Sequence, residues 1–416
     1  MLETSISPGQ WEPWSARPEL MPKSVAAPPY WTVSSTGGPS CHGGWDLDWH
    51  HITPGSWYRV AVTARPSGLD RVRDSVHAEL IWWDKRGKRA NWAHLHFEQA
   101  ENGLLKFAHE MRAPADAVYA TLRLMLRWTD RGEVVWCEPH LRAVDPPGPR
   151  KLTAAIATGE FPGESVEKNV AFARQLIARA ADAGAQVVCL PECVTTWRTK
   201  GLPNEGARPI PGPESDALCE EATRRKIDVV GSIYELNGRL IHNTGLYIDA
   251  DRGIIGKYRK VHLAVGERWK GVTPGSEFPV FQTRYGKVGM LICYDSVMGE
   301  GHRILAEKGA EVLFMPIMGD PRAVGDPALE NWRQIMRVRS MDNHVWFVVC
   351  QNVGKWGLIT RPDGQIVAEV DPATGIATAE LDLNFRFESW IGSDFQNRTW
   401  GERRPDLYGE LAGEGE

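Results

Sequence analysis

The chain has 416 residues, of which 42% are apolar, and its formal net charge at pH 7 is −5. These totals are ordinary for a soluble globular protein of two or three domains. Because no block of basic residues occurs, the sequence argues against a nucleic acid or an anionic membrane as the main partner. No run of about 20 apolar residues is present, so no membrane span is predicted.

Seven cysteines are scattered along the chain, and none of them forms a C-x-x-C pair. An odd number at irregular spacing is typical of reduced thiols in a cytoplasm rather than of a disulfide framework. The first 20 residues also lack the basic and apolar regions of a signal peptide. We therefore expect a cytoplasmic protein, and we find no ligand spacing typical of a zinc site.

The first 148 residues predict an all-β domain. Runs such as WYRVAVTAR (57–65) and VHAELIWWD (76–84) alternate apolar and polar residues, and turn-forming stretches such as DKRGK separate these runs. We expect an antiparallel sandwich of about seven to nine strands. The pattern resembles the jelly-roll domains that often serve as carbohydrate-binding modules.

Eleven of the 18 tryptophans lie in this domain, and two interpretations stay open. One places them in the core and at an interface, and the other exposes some of them as a surface on which a sugar or another ligand stacks. In the stretch AHLHF, His94 and His96 are two residues apart and should share one strand face. Because two histidines lack a third metal ligand, we expect ordinary core or surface residues there.

A proline-rich stretch, DPPGPRK (145–151), cannot continue a helix or a central strand and predicts a linker. After it, the strand KLTAAIATG is followed by the helical stretch VEKNVAFARQLIARAADAG and by the strand AQVVCLPE. Apolar strands that alternate with helices indicate an α/β sheet covered by helices. Gly184 is expected to end the first of these helices.

Three reactive side chains lie at the ends of predicted strands in this second region. They are Glu192 in VVCLPE, Lys260 in GKYRKVHL and Cys293 in VGMLICYD. In α/β sheets, such groups gather where strands end. A thiolate is a strong nucleophile, an ammonium favours it over the thiol, and a carboxylate can take the proton. Because the G-x-S-x-G motif of serine hydrolases is absent, the sequence favours a cysteine nucleophile.

Ten segments, in order, resemble the nitrilase superfamily, the carbon–nitrogen hydrolases with a Glu-Lys-Cys triad. Among them are GAQVVCLPE, HNTGLYIDADRGIIGKYRKVHL, GKVGMLICYD, VVCQNVGKWG and RRPDLYGEL, and together they cover residues 151–408. The resemblance implies an α/β fold, a four-layer α-β-β-α sandwich, preceded here by the all-β sandwich. We expect the N-terminal sandwich at 1–148, the hydrolase domain at 149–385 and a C-terminal oligomerisation tail at 386–416.

Carried over by position, the resemblance implies that Cys293 is the nucleophile and Glu192 the general base. Lys260 would stabilise the oxyanion of the intermediate, and the backbone N–H of Tyr294 would complete the oxyanion hole. Many members have a second glutamate between the lysine and the cysteine. Glu267 in HLAVGERWKG is the best match for it.

Four further residues receive other interpretations. Glu277 in GSEF is the weaker alternative for the second glutamate, while Cys193 and His262 are expected to be structural. Asp295 is expected to cap the turn that follows the nucleophile.

The implied reaction is attack of Cys293 on an amide carbonyl, release of ammonia or an amine, and hydrolysis of the thioester, with no metal or organic cofactor. True nitrilases often have tryptophan after the cysteine, so Tyr294 favours amides over nitriles. An N-carbamoyl amidohydrolase stays open, because RRPDLYGEL resembles the tail of β-ureidopropionase-like members, and a nitrilase with the same triad stays open too. An alternative of another class is a ligand-binding protein with a silent hydrolase domain.

One stretch departs from the family pattern. Members often have C-Y-D-x-x-F-P-E, whereas this chain has CYDSVMGE, with Met298 and Gly299 in place of Phe-Pro. The glycine is expected to loosen the loop and so to change which substrates are accepted. The shape of the pocket should also depend on the loops at 195–206 and 318–332. The expected partners are a small amide or carbamoyl substrate and further copies of the chain, in a homodimer or higher homo-oligomer.

Overall fold

The computed structural model describes residues 6–38, 40–99, 101–201, 203–319, 328–388 and 392–412. The chain divides into two compact units. One consists of Met1–Gly148 with Arg386–Glu416, and the other of Pro149–Phe385. They are called here the sandwich unit and the hydrolase unit, and each is described by itself.

The sandwich unit contains eleven strands within its described residues. They are Trp11–Ser15 (β1), Lys23–Ala27 (β2), Tyr30–Ser34 (β3), His42–His50 (β4), Trp57–Ser67 (β5), Val76–Asp84 (β6), Arg89–His94 (β7), His96–Gln99 (β8), Leu105–Arg112 (β9), Ala117–Arg127 (β10) and Glu133–Val144 (β11). A five-stranded sheet has the order β1-β4-β10-β6-β7, and a six-stranded sheet has the order β2-β3-β11-β5-β9-β8. All pairs are antiparallel. A four-residue helix, Val72–Ser75 (α1), precedes β6.

The alternating pattern of the sequence places one face of each sheet in a shared core. In β5, for example, Tyr58, Val60 and Val62 are buried and the residues between them are less so. The sandwich therefore has more strands than the seven to nine that the sequence predicts. Strands of four or five residues, such as β1 and β8, are too short to show a clear period of two.

The interpretation of the tryptophans as core residues applies to several of them. Trp49, Trp82 and Trp136 are completely buried within the core of the sandwich. Trp128 is 44% exposed, so the alternative of a ligand-stacking surface stays a prediction for the tryptophans that are not buried.

The prediction that His94 and His96 share one strand face is wrong. His94 ends β7 in the five-stranded sheet, whereas His96 begins β8 in the six-stranded sheet. The chain passes from one sheet to the other at Leu95, whose side chain is buried in the core. The period-two argument fails because it assumes one continuous strand.

The C-terminal residues contact the strands of the sandwich unit. The helix Phe395–Gly401 (α8) lies against β7, where Asn397 Oδ1 accepts from the backbone N–H of His94 and Asn397 Nδ2 donates to the His94 carbonyl, both at 2.8 Å. Arg404 donates to Asp74 at 3.1 Å. A single chain does not test whether residues 386–416 also serve oligomerisation, which stays a prediction.

The hydrolase unit alternates strands and helices. Its strands are Lys151–Ala157 (β12), Val187–Cys189 (β13), Asp228–Asn237 (β14), Leu240–Asp249 (β15), Gly253–Arg259 (β16), Val280–Gln282 (β17), Lys287–Met290 (β18), Val312–Ile317 (β19), Trp346–Gln351 (β20), Trp356–Thr360 (β21), Ile366–Glu369 (β22) and Ile376–Asp382 (β23). Its helices are Val166–Asp182 (α2), Pro203–Gly206 (α3), Pro213–Arg225 (α4), Val265–Trp269 (α5), Gly299–Glu307 (α6) and Ala328–Asn343 (α7).

Two six-stranded sheets form the inner layers of this unit, with the orders β16-β15-β14-β13-β12-β23 and β17-β18-β19-β20-β21-β22. The central strands β12, β13 and β14 are parallel, as are β18, β19 and β20. Helices α2 and α4 contact the first sheet and α7 contacts the second. The arrangement is the four-layer α-β-β-α sandwich that the sequence predicts. All six residues of β19 are buried, as expected for a strand covered on both faces.

Local sequence accounts for the ends of α2. Ser165 caps its N-terminus by accepting a hydrogen bond from the backbone N–H of Lys168. Gly184, two residues after the helix, has a φ of +81°, a conformation that costs glycine little because it has no Cβ. Among the described helices of both units, none has the length and apolar character needed to cross a bilayer.

Candidate active site

The three reactive side chains come from the ends of strands in both sheets of the hydrolase unit. Glu192 follows β13 and Lys260 follows β16 in the first sheet, while Cys293 follows β18 in the second. Strands of the two sheets contact each other, for example β13 and β19. The layered fold therefore brings residues about 30 to 100 positions apart in the sequence to one site between the sheets.

Glu192 is the most thoroughly bonded of these groups. Its side chain is 3% exposed, and Oε1 accepts from Lys260 Nζ at 2.9 Å and from Asn243 Nδ2 at 2.7 Å. Oε2 accepts from the backbone N–H of Met318 at 2.7 Å. Met318 directly follows β19, so the carboxylate that extends from one sheet is fixed by the backbone of the other.

Lys260 and Glu267 complete a buried ionic network. Lys260 is 1% exposed, and its Nζ donates to Glu267 Oε2 at 2.7 Å as well as to Glu192. Glu267 lies in the first turn of α5, where Oε2 also accepts from the backbone N–H of Ala264 at 2.9 Å. The ammonium thus lies between two carboxylates and donates a hydrogen bond to each. Of the two predicted candidates for the second glutamate, this places Glu267 in the site, whereas Glu277 is exposed.

Asn243 is part of the network, although the sequence analysis gave it no role. It lies on β15, is completely buried, and its Nδ2 donates to Glu192 at 2.7 Å and to Glu267 at 2.8 Å. Its Oδ1 has no partner among the described residues. One signal could have revealed it: the polar run HNT interrupts a strand that is otherwise apolar, and a buried polar side chain needs a partner.

Cys293 begins a 3₁₀ turn that ends at Val297. Its φ is +47°, in the left-handed region that side chains other than glycine rarely adopt. The carboxylate of Glu192 and the ammonium of Lys260 both act electrostatically on the thiol. Because the first N–H groups of a helical turn have no partner within it, the backbone N–H of Tyr294 lacks an acceptor inside the turn.

The protonation of the site differs from the sequence expectation. Burial and the carboxylate of Glu192 raise the pKa of Cys293 to about 12, although the ammonium of Lys260 lowers it. Burial alone would lower the pKa of Lys260, but Glu192, Cys293 and Glu267 raise it well above its usual value. The resting site therefore holds a neutral thiol beside a charged ammonium. The thiol needs a base to become a nucleophile, and the carboxylate of Glu192 acts on it.

Asp295 holds the nucleophile turn in place, as expected of a capping residue. It is 1% exposed, and its Oδ2 accepts from the backbone N–H of Ile292 at 2.8 Å and from the hydroxyl of Tyr258 at 2.7 Å. Its Oδ1 accepts from the backbone N–H of His262 at 2.9 Å and faces the His262 ring at the same distance. His262 thus has the structural position that the sequence analysis gave it.

The residues that depart from the family pattern are more constrained than expected. Met298 is the N-cap of α6 and Gly299 its first residue, so the glycine does not loosen a loop. A Cβ on Gly299 would lie 3.2 Å from the guanidinium of Arg339, a close contact that a small shift of that side chain would relieve. Of the two loops expected to shape the pocket, residues 320–327 and residue 202 lie outside the described residues.

Comparison with known proteins identifies the family of the hydrolase unit. Residues 153–387 match the family model described as carbon-nitrogen hydrolase. The omega-amidase NIT2 of Xenopus tropicalis is 32% identical over 260 residues, which are 58% of this chain and 91% of that protein. The N-carbamoylputrescine amidase of Solanum lycopersicum is 30% identical over 276 residues, 59% of this chain and 90% of that protein.

The fold also matches solved structures. Saccharomyces cerevisiae Nit3, a member of branch 10 of the nitrilase superfamily, superposes with a TM-score of 0.50 at 27% identity, covering 56% of this chain and 90% of Nit3. The family match covers more than half of the chain and contains all four predicted catalytic side chains. The chain belongs to the carbon–nitrogen hydrolase family of the nitrilase superfamily, and it is an enzyme that hydrolyses carbon–nitrogen bonds.

Proposed function

We propose that the enzyme hydrolyses the amide of a small molecule through a thioester on Cys293. The observation that carries this proposal is the hydrogen-bonded network of Glu192, Lys260 and Glu267, whose charges act on the Cys293 thiol. The alternative of a silent, purely ligand-binding domain is disfavoured, because the chain keeps Glu192, Lys260 and Cys293 and belongs to a family of carbon–nitrogen hydrolases.

In the first half-reaction, Glu192 takes the proton of the thiol while the Cys293 sulfur attacks the amide carbonyl carbon. The negative charge that develops on the carbonyl oxygen is stabilised by Lys260 and by the backbone N–H of Tyr294. Glu192, now a carboxylic acid, gives its proton to the leaving nitrogen, and the carbon–nitrogen bond breaks. Ammonia or an amine leaves, and the acyl group remains as a thioester.

In the second half-reaction, Glu192 takes a proton from water, and the resulting hydroxide attacks the thioester carbonyl. The second tetrahedral intermediate collapses to a carboxylic acid, and Glu192 returns the proton to the Cys293 sulfur. Glu267 and Asn243 do not exchange protons in this scheme. They hold Lys260 and Glu192 in fixed positions, since each bonds to the other members of the network.

An N-carbamoyl compound is the second candidate substrate. The same attack on a carbamoyl carbonyl, followed by hydrolysis, would release ammonia, carbon dioxide and the free amine, and the relative from Solanum lycopersicum is named as an N-carbamoylputrescine amidase. The omega-amidase relatives support the amide as the first candidate. Nitriles are the third, because the same thiol can attack a nitrile carbon.

The proposal is tested by incubating the full-length enzyme with matched panels of small ω-amides, N-carbamoyl amines and nitriles. Ammonia release is measured for all three panels and carbon dioxide release for the second. We expect the highest kcat/KM with an amide. Turnover of N-carbamoyl compounds alone would replace the first candidate by the second, and no turnover of any panel by an enzyme with a reactive Cys293 thiol would contradict the proposal.

We further propose a homo-oligomer in the cytoplasm. Helices α6 and α7 carry exposed apolar side chains, among them Ile304 at 36% and Val338 at 48% exposure, which supports an interface with another copy. All seven cysteines are free, which supports a reducing compartment. Light scattering coupled to gel filtration gives the molar mass, and a mass of 46.4 kDa, that of one chain, would contradict the first of these proposals.

A further inference from the structure

A second cluster of ionisable side chains lies within the sandwich unit, and the proposed mechanism uses none of them. His77 and Glu79 are two residues apart on β6, and Glu79 is directly opposite His94 on β7. Their neighbours Ala78 and Leu80 belong to the core of the sandwich, so these three side chains share the face of the five-stranded sheet that points away from the core. His77 and His94 are 6% and 3% exposed.

The distances within the cluster are those of groups that face one common point. Glu79 Oε1 lies 3.5 Å from His77 Nε2 and 3.5 Å from His94 Nδ1. These separations are longer than a normal charge-assisted hydrogen bond of about 2.7–2.9 Å. Two ligands of a tetrahedral zinc ion, each about 2.1 Å from the metal, are about 3.4 Å apart.

The two rings are closer to each other than two metal ligands would be. His77 Nε2 and His94 Nδ1 are 2.6 Å apart, the distance of a hydrogen bond in which one ring donates and the other accepts. If His77 donates, the proton of neutral His94 is on Nε2, which has no acceptor among the described residues. If His94 donates, the same Nε2 is a bare acceptor with no donor. Either tautomer leaves a buried nitrogen unsatisfied, which is costly.

We propose that His77, Glu79 and His94 form a binding site for a divalent transition-metal ion, with Zn²⁺ as the natural candidate. The ion would take the place of the shared proton, and the rings would move apart from 2.6 Å to about 3.4 Å. Each ring would then bind the metal through the nitrogen that faces Glu79. His94 would carry its proton on Nε2, which has no acceptor among the described residues with or without the ion. A water molecule would complete a four-coordinate site.

The surroundings favour a transition metal over a hard cation. Two of the three donors are imidazole nitrogens, which suit zinc, copper, iron and nickel, whereas calcium and magnesium prefer oxygen. The guanidinium of Arg127 also acts electrostatically on all three side chains. A nearby positive charge lowers the affinity for a cation that is bound by electrostatic attraction alone. It lowers less the affinity for a cation that also forms metal–nitrogen bonds.

The backbone around His94 is fixed in a manner suited to a ligand. Asn397 bonds to both the N–H and the carbonyl of His94, and Gly401 of α8 lies so close to the His94 ring that no Cβ would fit. These contacts hold the backbone of His94 and limit the movement of its ring. A bound ion would join β6 to β7 beneath this helix. We therefore expect it to stabilise the sandwich unit rather than to take part in the hydrolysis.

The test uses the full-length protein, freed of metal by a chelator and then titrated with Co²⁺, whose visible absorption bands report coordination by nitrogen in a tetrahedral site. Zn²⁺ is titrated in parallel by calorimetry. We expect one Co²⁺ per chain, displacement of the Co²⁺ bands by Zn²⁺, and a higher melting temperature with Zn²⁺, because an ion that binds only the folded state stabilises it.

The decisive variants are Glu79→Gln and His77→Gln, which keep polar side chains of similar size. Each should lower the affinity for Co²⁺ at least 10-fold, while the matched control His140→Gln, a change of an exposed histidine in the same unit, should leave it unaltered. Near-ultraviolet circular dichroism checks that each variant is folded. Absence of stoichiometric binding to the wild-type chain would overturn the proposal, whether or not the variants fold. Equal binding to all four proteins would overturn it as well, since the ion would then bind elsewhere.

Discussion

In the hydrolase unit, the buried carboxylate of Glu192 accepts three hydrogen bonds of 2.7 to 2.9 Å, whereas in the sandwich unit Glu79 lies 3.5 Å from each histidine beside it. The first group lies at the end of a strand, where backbone N–H groups of the following loops are free to bond to it. The second lies in the middle of a strand, where the backbone is already paired within the sheet. A buried charge at a strand end can therefore be satisfied by the protein itself, and one on a strand face is more dependent on its neighbours' side chains or on a ligand.

If only the cluster around Glu192 serves catalysis, and the one around Glu79 does not, the largest loss of activity is expected from a change of the nucleophile. Cys293→Ala should lower kcat/KM on the order of 10⁴-fold or more, because it removes the sulfur that forms the thioester in the proposed mechanism. The measurement is ammonia release from the best amide of the panel. Cys219→Ala is the matched control, since Cys219 lies on α4, and it should keep full activity. Comparable rates for both variants would contradict the proposed mechanism.

Glu192→Gln should lower kcat by about 10²- to 10⁴-fold, the range expected when a general base is lost. It should also make the thiol more acidic. Glu192 is one cause of the raised pKa of Cys293, which is about 12, while Lys260 lowers that pKa. A thiol with this pKa is neutral at pH 8, and removal of the carboxylate shifts its ionisation to lower pH.

Alkylation by iodoacetamide, followed by intact mass at a series of pH values, measures that shift. We expect the pH midpoint for Cys293 to be lower in Glu192→Gln than in the wild type, even though hydrolysis is lost. A midpoint that stays in place or moves to higher pH would show that Glu192 does not control the thiol.

Asn243→Ala should lower kcat by about 10- to 100-fold, because a hydrogen bond to a charged group is worth about 1.5–3 kcal/mol and Asn243 bonds to two carboxylates. Asn243 acts through Glu192 and Glu267, so the pH profile of kcat should shift while KM changes little. Asn237→Ala, at the exposed end of β14, is the control. A loss confined to KM would instead indicate that Asn243 contacts the substrate.

Tyr258→Phe should have the smallest effect. It removes the hydroxyl that donates to the buried carboxylate of Asp295 at 2.7 Å, and it should lower the free energy of unfolding by about 1.5–3 kcal/mol. Because Asp295 keeps its bonds to the backbone of Ile292 and His262, activity should fall less than 10-fold. Urea unfolding gives the first quantity and steady-state kinetics the second. An unchanged midpoint in urea would mean that the bond makes no net contribution to the free energy of unfolding.

The sequence was sufficient for the elements whose signal is local. The apolar strands, the helix that ends before Gly184 and the family segments all lie in short stretches, and the fold and family they predicted are confirmed. The four side chains expected in the site do meet, although their catalytic roles stay predictions. The orientation of Glu192 depends on Met318, 126 residues away, and no periodicity reports such a contact.

In the sandwich unit, the sequence pattern predicted a pair of histidines that the structure does not bring together on one face. His94 and His96 form a motif that is visible in the sequence, yet the chain changes sheets between them. The cluster that does form depends on the register of β6 and β7, which places His94 opposite Glu79. Since register follows from the turn geometry and from the packing of a whole face, a sequence pattern cannot give it.

The carboxylate of Glu192 begins on one sheet and is anchored by the backbone that follows β19 on the other. The position of the Glu192 carboxylate therefore depends on the distance between the two inner sheets of the hydrolase unit. A swelling of the core by less than an ångström would lengthen the bond to Met318 before any strand separates. The catalytic rate should therefore fall when the two sheets move apart. Mild denaturant or hydrostatic pressure should abolish activity while the circular dichroism spectrum is still that of the native state.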